Sequence, residues 1–183
     1  IAKSFIKAGA RAVKEVSPSS RVVLHLDAGG DNARCRRWFD AMQERGVTFD
    51  VIGLSFYPVW HGALADLKQN MDDLSQRYAK PVIVVETAYP WTTENGDQDR
   101  NLYTSTGAET DPMTPQGQAA FMSRLGKAVA SVLPRNLISP SLAAFPWIRM
   151  WSAAVMRARP IFPLMKTHRQ SRPLLLWSTQ WSS

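Results

Sequence analysis

Three stretches of the chain repeat one pattern: a short, nearly continuous apolar run, then a segment with apolar residues at helical spacing. The first run is Val22-Val23-Leu24-His25-Leu26-Asp27, followed by a Gly29-Gly30 turn and a helix predicted near 32–45 that carries Trp38, Phe39, Ala41 and Met42. The second, Val51 to Pro58, precedes a helix near 63–78 in which Leu64, Leu67, Met71, Leu74 and Tyr78 are spaced by alternating steps of three and four. The third, Val82-Ile83-Val84-Val85-Glu86, leads into a long loop, 88–113, and a helix near 115–132 with Thr114 as N-cap and Pro115 at its first position. Residues 2–15 read as a helix ahead of the first strand, ended by Ser17-Pro18-Ser19-Ser20.

Strand starts at 22, 51 and 82 are 29 and 31 residues apart, the length of a βα unit, so the fold class is α/β with parallel strands. Ligands of such folds bind beyond the C-terminal strand ends. Those ends carry His25 and Asp27; Ser55, Tyr57, Trp60 and His61; and Glu86, Tyr89 and Trp91, which in register form one rim. Three units fall short of a closed (β/α)8 barrel of about 250 residues. A fourth strand is expected near 135–145, but Pro140 and Pro146 interrupt Leu137–Pro146 and argue against a central strand there.

Composition divides the chain. The 45% hydrophobic and 20% charged residues exclude a disordered or collagen-like protein, and the single cysteine, Cys35, excludes an internal disulfide. No apolar run reaches the ~18 residues of a membrane span, and the first residues, Ile1 to Ile6, lack a signal-peptide pattern. Residues 1–133 hold 15 Lys/Arg and 15 Asp/Glu, so the net charge of +7 lies wholly in 134–183, which hold seven Lys/Arg, six Pro, four Trp and no acid. Two segments are expected: 1–133, which holds the βα units, and 134–183, a basic tail rich in Pro, Trp and Arg that is out of frame or disordered. A basic, aromatic tail is also compatible with anion or nucleic-acid binding.

Glu86 is the candidate for chemistry. A carboxylate at a strand end among aromatic and hydroxyl groups suits sugar chemistry, because aromatic faces stack on pyranose rings and a carboxylate can attack an oxocarbenium-like centre. The competing reading is a solvated strand-end acid that caps the next turn. The strings LHLDAGGDNARCRRWFD (24–40), GVTFDVIGLSFYPVWHGALADLKQNMDDLSQRY (46–78) and KPVIVVETAYPWTTENGD (80–97) resemble glycoside hydrolase family 53, the endo-β-1,4-galactanases, with similarity from about residue 2 to about 132. The motifs give out after Leu133.

The resemblance implies a (β/α)8 TIM barrel of which this chain holds about strands five to seven, and a retaining hydrolase of β-1,4-galactan in plant pectin. In that frame Glu86 in VVETAYP is the nucleophile. The acid/base of the family lies in an Asn-Glu pair ending strand four. No Asn-Glu dipeptide occurs here, so the chain is expected to be an incomplete and inactive part; a non-catalytic galactan-binding remnant is the alternative. The resemblance further implies secretion, galacto-oligosaccharide ligands, no nucleic-acid or membrane partner and no cofactor for the chemistry. Tyr57 is expected to hydrogen-bond the nucleophile, and His25, Asp27, Trp60, His61 and Trp91 to contact substrate. Asn95, Asp97, Asp99 and Asn101 alternate through NGDQDRN and offer oxygen ligands suited to a structural Ca2+.

Overall fold

A computed structural model of the protein describes residues 2–96, 98, 100 and 102–132. Its elements run α1 (Ala2–Val16), β1 (Val23–Leu26), α2 (Asn32–Glu44), β2 (Val51–Phe56), α3 (Pro58–His61), α4 (Leu64–Tyr78), β3 (Val82–Thr87) and α5 (Pro115–Val132). All three strands form one parallel sheet in the order β1-β2-β3, so the α/β alternation expected from the sequence is present. Several boundaries move by a residue or two: β1 starts at Val23 rather than Val22, and β3 runs on to Thr87. Asp27 lies just past β1, and the second run stops as a strand at Phe56, because Pro58 opens the one-turn helix α3.

Three of the helices, α2, α4 and α5, start where side chains can take up free amide groups. Asp31 Oδ1 accepts from the Arg34 N–H at 2.9 Å ahead of α2, Asp66 reaches back to the Ala63 N–H at 2.9 Å ahead of α4, and Thr114 Oγ1 accepts from the Gly117 N–H at 3.0 Å at the start of α5. The helical apolar stripes then meet one face of the sheet. Phe39 and Met42 of α2, Leu67, Met71 and Leu74 of α4, and Phe121 and Leu125 of α5 form a continuous core with Leu24, Ile52, Leu54, Phe56 and Val82. Within this core Asn70 is fully buried; its amide donates to the Gly29 carbonyl at 2.7 Å and its Oδ1 accepts from Asn32 at 2.9 Å.

Alternation sends the other set of side chains to the opposite face: Val23 and His25 on β1, and Val51, Gly53, Ser55 and then Tyr57 on β2. Among the described residues no helix packs there, and Val23 and Val85 remain about two-fifths exposed. The turn after β1 brings its backbone against the end of β2, with the Gly29 N–H donating to the Ser55 carbonyl at 2.9 Å. A Cβ at Gly29 would lie 2.5 Å from that carbonyl oxygen, and one at Gly30 would collide with the His61 backbone oxygen, so only glycine fits the pair.

Candidate active site

The position of Glu86 depends on an irregularity in β3. Strict alternation from Val82 and Val84, which face the helices, would send Glu86 the same way. The register instead steps from Leu54–Val84 to Ser55–Glu86, leaving Val85 as an extra residue. Val85 lies against Gly53, and the next residue, Glu86, reaches Ser55 and Tyr57, so two consecutive side chains share the helix-free face. This is what a β-bulge does: it re-aims a side chain at a strand end.

The Glu86 carboxylate is half-exposed, with 52% of its side chain accessible, and both its oxygens accept hydrogen bonds. Ser55 donates to Oε2 at 2.7 Å and the Tyr57 hydroxyl to Oε1 at 2.5 Å. His25 Nε2 lies 2.6 Å from Ser55 Oγ and 3.7 Å from Glu86 Oε2. The donors from Ser55 and then Tyr57 outweigh partial burial and, with His25 and His61 nearby, hold the carboxyl below the usual glutamate range. Conversely, burial and the bond to Glu86 push the Tyr57 hydroxyl well above the usual phenol range, so it stays a donor.

A second layer orients the first. His61 Nδ1 accepts from the Tyr57 backbone N–H at 3.1 Å, which places the ring proton on Nε2, facing Asp27 Oδ1 at 3.1 Å. Burial lowers the pKa of His61 against the pull of Asp27 and so favours the neutral ring. An aromatic group flanks the carboxylate: the Tyr57 ring stacks on Tyr103 at 5.4 Å between centroids, and Trp60 lies 5.3 Å from Tyr57 and 5.1 Å from Tyr103. Trp60 is 53% exposed and presents an apolar wall beside the carboxylate. Trp91 lines a separate hollow of about 290 Å3 with Pro90, Leu102 and Tyr103, and Tyr103 joins that hollow to the Glu86 group.

The structure thus gathers Glu86, His25, Asp27, Tyr57, Trp60 and His61 at one end of the sheet, with Trp91 at its margin. Ser55, which sequence reasoning places on the rim without a specific role, and Tyr103, which it does not single out, complete the group. The signal for Ser55 is a polar residue within an otherwise apolar strand, and for Tyr103 an aromatic within the polar loop 88–113. Of the four residues considered for Ca2+, Asp97, Asp99 and Asn101 lie outside the described residues; Asn95 belongs to the exposed loop beyond Trp91. The tail 134–183 also lies outside them.

Comparison with known proteins gives these residues a context. Residues 2–159 match the model for glycosyl hydrolase family 53. The match extends past Leu133, where the sequence motifs give out, into the first half of the basic tail. The arabinogalactan endo-β-1,4-galactanase of Cellvibrio japonicus is 38% identical over 135 residues, covering 70% of this chain and 35% of that protein. The endo-β-1,4-galactanase of Bacillus subtilis is 30% identical over 175 residues, or 95% of this chain and 37% of that one. Among solved structures, the catalytic domain of a family member from Ignisphaera aggregans superposes with a TM-score of 0.63 at 36% identity, over 69% of this chain and 36% of that chain. The chain therefore spans little more than a third of the length of these relatives.

Proposed function

The chain belongs to glycosyl hydrolase family 53, and on that premise we propose that it carries the nucleophile-bearing part of a secreted endo-β-1,4-galactanase that cleaves pectic β-1,4-galactan with retention of configuration. The reading is that β1, β2 and β3 are strands five, six and seven of a (β/α)8 barrel. The observation that carries it is the doubly hydrogen-bonded, half-exposed Glu86 at the strand ends, flanked by Tyr57, Trp60 and Tyr103.

In this mechanism Glu86 attacks the anomeric carbon, and the bond to the leaving oxygen breaks as a second carboxyl group protonates it. Water activated by that same group then displaces Glu86 from the sugar. Retaining enzymes place the two carboxyls about 5–5.5 Å apart. Of the other glutamates within the described residues, Glu109 is engaged in a structural clamp, Glu15 and Glu44 lie on helices, and Glu94 lies in the exposed loop that lines the Trp91 hollow rather than at a strand end. The acid/base is proposed to come from the barrel half that this chain does not contain, in the Asn-Glu pair of the family. Trp60, Tyr103 and Trp91 are proposed to bind sugar faces, with His25, Asp27 and His61 lining the cleft.

The test compares residues 1–183 with the same chain joined behind the N-terminal barrel half of the Cellvibrio japonicus enzyme, using reducing-sugar release from β-1,4-galactan. The short chain is expected to be inactive and the joined one active, with Glu86→Gln lowering kcat by about three orders of magnitude or more. Glu86→Ala with added azide should yield an α-galactosyl azide, in which azide has taken the place of the carboxylate. An active joined enzyme that is indifferent to Glu86→Gln would overturn the assignment.

A further inference from the structure

Ser55 is fully buried and has a single hydroxyl proton, yet two groups lie within hydrogen-bond distance of its oxygen: Glu86 Oε2 at 2.7 Å and His25 Nε2 at 2.6 Å. One proton cannot serve both. An ionised carboxylate offers only acceptor sites, so the serine proton must point to Glu86. The serine oxygen is then the acceptor toward His25, and His25 must carry a proton on Nε2. An imidazole protonated only on Nδ1 would accept from Ser55 instead and turn the hydroxyl away from Glu86.

We propose that His25 and Ser55 form a directional donor relay, His25 Nε2–H to Ser55 Oγ and Ser55 O–H to Glu86 Oε2, that positions Glu86 as an acceptor-only carboxylate. Its use in attack on a sugar rests on the reading of Glu86 as nucleophile; the relay itself does not. His25 and Ser55 are positioning residues in this scheme, acting through Glu86.

Other groups facing Glu86 have different partners. From β2, Tyr57 serves the other carboxylate oxygen. From α3, His61 is held between the Tyr57 N–H and Asp27, which occupies Asp27 after β1. From the loop, Tyr103 stacks on the Tyr57 ring. His25 also lies 3.7 Å from Glu86 Oε2, so its protonated form attracts the carboxylate directly. A test has to separate that charge from the relay.

The separation is made by titrating the Glu86 carboxyl carbon by NMR in the 183-residue chain, with the resonance assigned by its loss in Glu86→Gln. Ser55→Ala is expected to raise the midpoint by about one unit, a tenfold gain in proton affinity for the loss of one charge-assisted donor. At position 25, glutamine keeps a neutral donor and phenylalanine keeps none. With Ser55 present, His25→Gln should titrate below His25→Phe; with Ser55→Ala, the two should coincide, since the relay has no other path.

A midpoint unmoved by Ser55→Ala, or a gap between His25→Gln and His25→Phe that persists without the Ser55 hydroxyl, overturns the relay. If Ser55→Ala fails to fold, Ser55→Cys supplies a weaker thiol donor of similar size; it should raise the midpoint by a smaller amount, and no rise overturns the proposal. No substrate is involved in this titration. A relay confirmed in it beside an inactive joined galactanase would leave the relay standing and sink the hydrolase reading alone.

Discussion

Tyr57 links the two layers of the site. Its hydroxyl donates to Glu86 Oε1, its ring packs against Trp60 and Tyr103, and its backbone N–H fixes the His61 ring. Tyr57→Phe keeps the packing and the amide and removes only the donor. A carboxylate that loses a donor is less favoured in its ionised form, so the pKa of Glu86, now held below the usual range by Ser55 and Tyr57, rises. The ionised carboxylate, the form that the proposed attack needs, is then present over a narrower range. In the joined galactanase, the acidic limb of kcat/KM should move to higher pH by about half a unit to one unit, and the plateau should fall about tenfold. The pH profile of the variant against the parent checks both. An acidic limb that stays in place would mean that Tyr57 shapes the cleft without acting on the carboxylate.

At the scale of elements, the long loop between β3 and α5 is fastened at its C-terminal end by Glu109. One oxygen of this buried carboxylate accepts from the Leu64 N–H at 2.8 Å at the start of α4, and the other from Arg124 of α5 at 2.7 Å; Arg124 also pairs with Asp111. Glu109→Ala would leave an orphaned amide at the α4 start and a guanidinium short of one partner. The loss is expected to be about 2 kcal/mol, most of it from the buried side of the clamp because Arg124 is partly solvated. Urea unfolding checks this, with a lower midpoint and an unchanged slope. How far the elements were legible follows from the same physics. Apolar period, with the Thr114–Pro115 start for α5, placed the described strands and long helices to within a residue or two, since burial on one face and N-terminal capping are local signals. The α3 turn needed Pro58 to be read as a helix start rather than a strand end. The bulge at Val85 left no mark in a run of β-branched residues, and alternation from Val82 would have placed Glu86 beneath the helices. Glu86 was found from its place at the strand end among aromatic and hydroxyl groups and from the VVETAYP motif around it, not from its face. Ser55 was placed on the rim, but its bonding role escaped because its partners, His25 and Glu86, are 30 and 31 residues away along the chain.

At the scale of the molecule, the helices among the described residues pack on one face of the sheet, and parallel sheets are ordinarily covered on both. That asymmetry agrees with a chain that matches little more than a third of its relatives' length. It also concentrates the polar groups at one open end and along the helix exteriors, where several carboxylates are held below their usual range. Arg36, with Asn32, brings Asp73 down to about 2; Arg77 and Tyr78 lower Asp40; and at Asp50 burial opposes the shift but Lys14 and the Val22 N–H prevail. Glu86 is lowered by Ser55 and Tyr57. A depressed carboxylate contributes stability that is complete above its unfolded pKa, about 3.9 for Asp and 4.3 for Glu, and that is lost as pH falls through the folded value. His61, neutral by burial, acts in the same direction, since the unfolded ring takes up a proton first as pH falls below about 6.5. The thermal midpoint of the chain should therefore be level near neutrality, decline gently below about pH 6.5, and drop by several degrees between about pH 4.5 and 2. Arg36→Met should remove the most acidic part of that drop by freeing Asp73. Calorimetry at half-unit pH steps checks it, and a midpoint that rises on acidification would refute the assignment of these carboxylates as stabilising in their ionised form.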